Sequence, residues 1–319
     1  MNQQSTGVSA ITFGADRVRR SLIPRPRTGA DYVADEPSWR SGFVADLPAD
    51  PPRRRMRDFG YRDHELHGTP SRPDEVAMAG PLRLLTDEGL AHLVRICANL
   101  APVAVTNDYV VTRRLRGVET ISPFVHDMVR DPAFLALVSD IVGVPLIPHP
   151  IRDAAVQINY YTSAGGDAEV AKWHLDGMNY VFTMTLTDRS EHDGGDYIYF
   201  QGHRADFDLH SDGIRAAGEH HPQVAKAPFT RAGDTMFTRG SRIYHAVTPL
   251  TRGFRTTLAV SLFCPLYGAQ DENHFWHSAP DDGLLRTVKN WIALHLAMRS
   301  PMAYCRRNHI PRPASSRST

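Results

Sequence analysis

Apolar positions in the first half of the chain follow helical spacing. Leu90, Leu93, Val94, Cys97 and Leu100 recur after Thr86, a suitable N-cap with Asp87 and Glu88 in the first turn. A second helical region runs from Ser122 to about Val142, with Pro132 restarting it after Asp131. Its stripe is Phe134, Leu135, Leu137, Val138, Ile141 and Val142, and both stripes read as packing surface. From about Ala154 the period falls to two. Val156, Ile158 and Tyr160 alternate with Gln157, Asn159 and Tyr161. Strand patterns follow at 172–187, 197–200, 227–230, 235–238, 242–250 and 254–265, and a polar, His-rich insertion fills 201–225. Leu284, Leu285, Val288, Trp291, Ile292, Leu294 and Met298 trace a last amphipathic helix, expected to pack on an outer sheet face.

Short strands separated by Gly, Asp and Pro, with few helices between them, predict an antiparallel sandwich or barrel. The expected fold is mainly β with flanking α-helices, built on a double-stranded β-helix (jelly-roll, cupin-like) core with strands at 154–266. Residues 1–80 carry Ile23-Pro24-Arg25-Pro26-Arg27 and Asp50-Pro51-Pro52-Arg53-Arg54-Arg55, and read as an extended Pro/Arg-rich arm over the core. A single domain is expected over 81–300, then a loose basic tail over 301–319.

Composition narrows the classes. The 319 residues are 42% hydrophobic and 22% charged, as in an ordinary globular protein. A formal net charge of +1 gives no global pull toward nucleic acid or an anionic membrane. Cys97, Cys264 and Cys305 are odd in number and far apart, which fits reduced thiols. With neither a signal-peptide layout nor a membrane-length apolar run, a cytoplasmic location is expected. Oligomeric state is not legible.

The chemistry concentrates at Lys172-Trp173-His174-Leu175-Asp176-Gly177 and at Ile243-Tyr244-His245-Ala246-Val247. Alternation puts His174 and Asp176 on one strand face, where both can reach one metal, and His245 on a later strand can supply the third ligand. Two histidines and one carboxylate with open positions match the facial triad of non-haem Fe(II) oxygenases.

Around that pair, 123–266 resembles the Fe(II)/2-oxoglutarate-dependent dioxygenases. The order is Gln157-Ile158-Asn159-Tyr160-Tyr161-Thr162, Trp173-His174-Leu175-Asp176, Gly194-Gly195-Asp196-Tyr197, Ala232-Gly233-Asp234-Thr235-Met236-Phe237, His245-Ala246-Val247-Thr248-Pro249 and Gly253-Phe254-Arg255-Thr256-Thr257. The Asn-Tyr-Tyr and Trp-His-x-Asp stretches resemble the bacterial branch of small-molecule and amino-acid hydroxylases and radical halogenases.

The resemblance implies Fe(II), 2-oxoglutarate and O2 as cofactor and cosubstrates, with His174, Asp176 and His245 on the metal. It implies that 2-oxoglutarate's far carboxylate meets a buried cation. Arg255 suits that role, since it shares a strand face with Thr257, Ala259 and Ser261; Arg252 competes from the turn. Tyr161 and Asn159 match cosubstrate contacts, and Thr257 lies on the Arg255 face. Lys172, Asn179 and Tyr180 are candidate substrate contacts. His149, His192, His203, His210, His220 and His221 read as loop or surface residues. Halogenating relatives carry Gly or Ala at the Asp176 position, so hydroxylation of a C–H bond in a small polar metabolite, an amino acid or a natural-product intermediate, is expected. Desaturation or cyclisation stays open, as do a non-catalytic metal-binding jelly-roll module and a zinc hydrolase on the same ligands.

Overall fold

The computed structural model describes residues 32–66, 71–105, 113–163, 171–273, 275, 284–308 and 310. In chain order the first strands are β1 (Arg53–Arg55), β2 (Val76–Arg83), β3 (Arg113–Arg116), β4 (Ile147–Pro148), β5 (Val156–Thr162), β6 (Ala171–His174) and β7 (Tyr180–Thr185). The rest are β8 (His192–Gly194), β9 (Tyr197–Phe200), β10 (Val224–Lys226), β11 (Asp234–Arg239), β12 (His245–Val247) and β13 (Leu250–Phe263). They form two antiparallel sheets. The larger runs β1-β2-β11-β7-β13-β5-β3, with β4 and β8 also on β13; the smaller runs β10-β9-β12-β6. The chain alternates between them, as β5, β7, β11 and β13 lie in the large sheet and β6, β9 and β12 in the small one.

Alternation decides what each sheet face holds. On β13, Leu258, Val260 and Leu262 are buried in the main core with Leu93, Ile96, Phe134 and Val138. Those partners come from helices Asp87–Leu100 and Pro132–Val142, which therefore cover the outer face of the large sheet. Thr86 caps the first by accepting from Gly89 N, and Asp131 caps the second by accepting from Ala133 N and Phe134 N. Arg255, Thr257, Ala259 and Ser261 face the other way, into a cavity of about 410 Å³ lined by residues of both sheets.

The His-rich insertion folds as a helix, Arg204–Ala217, bent at His210. Phe207 and Ile214, seven apart, sink its inner face against Trp173, Ile198, Phe200 and Ala246 of the small sheet. That helix closes the outside of the sheet that carries both histidines of interest.

Four expectations need correction. Residues 53–66 and 71–80 are not an arm over the core: β1 pairs with β2, and β2 pairs with β11 inside the large sheet. The run Val76-Ala77-Met78-Ala79 is fully buried, which outweighs the surrounding prolines. The first part of the expected arm, 1–31, lies outside the described residues. Past Ser300 the chain is not loose up to 307, because helix Pro301–Arg307 buries Tyr304 and Cys305 against Ile147 and Phe263. Of its expected stripe, helix Leu284–Arg299 buries Leu294 and half-buries Met298, and it leaves Leu285, Val288, Trp291 and Ile292 exposed. No strand forms at 227–230; β10 ends at Lys226. Among the described residues, no helix is long and apolar enough to cross a membrane.

Phe237 on β11 is fully buried, with its ring 5.0 Å from Phe182 and 6.2 Å from Tyr180. Phe237→Ala leaves a ring-sized cavity in the middle of the large sheet and costs about 3–5 kcal/mol in urea unfolding. A loss below about 1 kcal/mol would show that the sheet does not depend on this packing.

Candidate metal centre

His174 ends β6 and His245 begins β12, and the two are direct partners in the antiparallel register. Their rings lie 4.4 Å apart between centroids. Asp176 follows two residues after His174, and its amide donates to Gly240 O at 2.8 Å. Its carboxylate is 3.6 Å from His174 Nε2 and 3.5 Å from His245 Nε2. One ligand atom from each residue falls within 4.8 Å of the others, a donor set for a single divalent ion.

Each imidazole is oriented by the backbone. His174 Nδ1 lies 2.7 Å from Lys172 O, and His245 Nδ1 lies 2.9 Å from Ile243 O. A carbonyl can only accept, so each Nδ1 carries a hydrogen, and in the neutral ring Nε2 is the nitrogen left with a lone pair. Tyr197 stacks on His245 at 5.3 Å, which fixes the ring plane. A side chain at Gly240 would occupy the carboxylate's own space. Its Cβ would sit 2.5 Å from Asp176 Oδ2 and 2.6 Å from Met178 O.

Burial opposes ionisation of Asp176, but the His245 imidazole and hydrogen bonds from both histidines outweigh it and hold the carboxyl well below its usual range. Burial would also lower His245, yet neighbouring Asp176 wins and raises it.

Arg255 sits on β13 opposite Tyr161 of β5, and Thr257 sits opposite Asn159. Arg255 is 2% exposed, and neither Nη atom has a hydrogen-bond partner. Its guanidinium carbon lies 5.5 Å from the Tyr161 ring, and Gly195 leaves it room, since a Cβ there would come 3.2 Å from Arg255 Cδ. Asn159 donates to Thr257 Oγ1 at 3.4 Å, and Tyr161, Asn159 and Thr257 line the same cavity as the three metal-ligand candidates. Arg252 is exposed and paired with Asp193.

The structure does not bring the three expected substrate contacts to this cavity. Lys172 is exposed at the start of β6 and is not among the lining residues. Asn179 is buried, where it donates to Asp271 and accepts from Arg239 and Ser241. Tyr180 is fully buried with the Arg239 guanidinium 4.6 Å from its ring centre. One more side chain differs from expectation: His192 is buried beside Gly194 O. His149 lies outside any strand or helix after β4, buried and bonded to Asn273. Sequence reasoning missed Gly240, Tyr197, Tyr244, Arg114, Arg116 and Arg215.

No protein-family model and no curated protein matches this chain. Among solved structures it is similar to SnoN, a non-heme alpha-ketoglutarate dependent epimerase from nogalamycin biosynthesis, at 16% identity and a TM-score of 0.42, covering 59% of this chain and 78% of that one. It is also similar to the SnoK carbocyclase of the same biosynthesis, at 13% identity and a TM-score of 0.44, covering 65% of this chain and 82% of that one. A third is HygX from Streptomyces hygroscopicus with nickel and 2-oxoglutarate bound, at 16% identity and a TM-score of 0.43, covering 56% and 79%.

Two expected outcomes follow from the geometry. Gly240→Ala pushes the Asp176 carboxylate aside, so divalent-metal affinity falls at least about tenfold while the far-ultraviolet spectrum is kept; unchanged affinity would mean that the contact has slack. His245 must lose its Nε2 proton before it can ligate, and its raised pKa keeps that proton into the range where an ordinary histidine is neutral. Metal affinity therefore climbs as pH rises through that value and levels off above it. Calorimetric titrations with Ni(II) between about pH 6 and 8.5 read this, and a flat profile would contradict the assignment.

Proposed function

We propose that this chain is a non-haem Fe(II)/2-oxoglutarate-dependent oxygenase of the jelly-roll type, hydroxylating a C–H bond of a small polar metabolite and releasing succinate and CO2. One observation carries the reading. A buried guanidinium whose two Nη groups have no partner shares a cavity with two imidazoles and a carboxylate aimed at one point. An unsatisfied buried cation is costly, and a ligand carboxylate is the group that relieves the cost.

His174 and His245 would hold the iron through Nε2, and Asp176 would add the anionic ligand. Arg255 would take the far carboxylate of 2-oxoglutarate, with Tyr161, Asn159 and Thr257 lining its path. When bound, iron and 2-oxoglutarate together activate O2 and supply the oxidant. The protein's own share is orientation and exclusion of water. Lys172 O and Ile243 O fix the ring tautomers, Tyr197 fixes the plane of His245, and Tyr161, Val247 and Leu250 form an apolar wall beside the arginine.

Asp176 fills the position that a halide would need, which favours hydroxylation over halogenation; desaturation or cyclisation would use the same groups. A zinc hydrolase would want a general base beside the metal, yet among the described lining residues Asp176 is the sole carboxylate. A bare binding module gives no reason for a buried, unpartnered arginine.

Substrate-free decarboxylation of 2-oxoglutarate tests the proposal: it is expected with Fe(II) and O2 and not with Zn(II), whereas no decarboxylation with Fe(II) together with Zn(II)-dependent hydrolysis of an ester or amide probe would favour the hydrolase. Arg255→Gln should raise the half-saturating 2-oxoglutarate concentration about 10–100-fold, the worth of a charge-assisted pair, with metal affinity within about threefold. An unchanged requirement would move the anchor elsewhere.

A further inference from the structure

Asn179 stands between Asp176 and the start of β7, buried and outside the cavity lining. Its hydrogen bonds run to the end of β11 and the turn that follows. The backbone O accepts from Gly240 N at 2.8 Å, and the side-chain Oδ1 accepts from Arg239 Nε at 3.0 Å and from Ser241 Oγ at 2.9 Å. On its other side, Nδ2 donates to Asp271 Oδ1 at 2.8 Å. One residue thus grips 239, 240 and 241 in succession, and Arg239, Ser241 and Asp271 are buried with it.

The gripped turn is the surface on which Asp176 rests. Gly240 O accepts from Asp176 N at 2.8 Å, and a Cβ at 240 would come 2.6 Å from Asp176 Cβ. A shift of the turn therefore shifts the third ligand, whereas the two imidazoles are set by the pairing of β12 with β6. Arg239 gives the grip a fixed point, because its other guanidinium nitrogens donate to Glu75 and Ser71. The position calls for an amide. An arginine only donates and an ionised carboxylate only accepts, so a residue between Arg239 and Asp271 has to accept on one side and donate on the other. An apolar side chain of the same size would leave buried donors and a buried carboxylate oxygen without this partner.

We propose that Asn179 is a positioning residue of the metal centre, acting through Gly240 to hold the Asp176 carboxylate in line with His174 Nε2 and His245 Nε2. The inference rests on the metal assignment above and adds to it a residue that does not touch the cavity. Outer contacts of this kind orient a ligand that would otherwise sample several rotamers, and metal affinity falls when they are lost.

The test is calorimetric titration with Ni(II) of wild type, Asn179→Leu and the double variant Asn179→Asp/Asp271→Asn, each checked for folding by its far-ultraviolet spectrum and urea midpoint. Asn179→Leu removes the side-chain grip at nearly constant size and should bind Ni(II) about 10–100-fold more weakly. The double variant exchanges the two groups. Position 179 then accepts from Arg239 and Ser241 and position 271 donates back to it, with the net charge unchanged, so its affinity should return to within about threefold of wild type. The visible absorption bands of Co(II)-loaded protein should follow the same order, altered in Asn179→Leu and restored in the double variant. A folded Asn179→Leu with wild-type affinity and bands would overturn the proposal, as would a folded double variant that binds as weakly as Asn179→Leu. If Asn179→Leu does not fold, the double variant decides alone by its affinity. Absence of Ni(II) binding by wild type would instead overturn the metal assignment, and this inference with it.

Discussion

The two imidazoles of the candidate centre depend on one register, the pairing of β12 with β6 that sets His245 directly across from His174. Side chains alternate along a strand, so slipping β12 by one residue would turn the imidazole at 245 away from the cavity and bring Tyr244 or Ala246 into its place. The register is held from both sides. β9 pairs with the other edge of β12, with Tyr199 opposite His245, and Trp173 and Ala246 are locked under Phe207 and Ile214. A two-histidine site made from strand partners needs little from the loops.

The third ligand depends on a different contact, between the turn after β11 and the segment after β6. Gly240 N donates to Asn179 O, and Asp176 N donates to Gly240 O. Behind that exchange lies a buried polar network. Arg239, fully buried, bonds Asn179, Glu75 and Ser71, and Asn179 bonds Asp271. Buried charge of this kind is tolerable only where every group is paired, and a paired network admits few alternative geometries. Glu75 and Ser71 belong to the segment leading into β2, so part of the stretch expected to be an extended arm helps to hold Asp176 in place.

The strands and the site differed in how legible they were. Period-two alternation along 156–161 and 254–262 separates apolar from cavity-facing positions, because a face either meets a core or does not. The histidines and Asp176 stand out for the same reason, with polar ligands on strands whose other face is apolar. Asn179 and Tyr180 were misread since proximity in sequence to Asp176 says nothing about which side of the turn packs inward. Arg113–Arg116 looks like a solvated basic run, and only pairing with β5 assigns two of its guanidiniums to the lumen. Gly240 carries no chemistry, and its role lies in leaving to Asp176 the space that a Cβ would fill.

The most direct measurement is a crystal structure of the protein prepared anaerobically with iron and 2-oxoglutarate, using anomalous scattering to locate the metal. The account predicts one iron bonded to His174 Nε2, His245 Nε2 and an Asp176 oxygen, with a cosubstrate carboxylate seated on the Arg255 guanidinium. Iron elsewhere, or Arg255 turned to an internal protein partner with the cosubstrate bound away from it, would contradict the account.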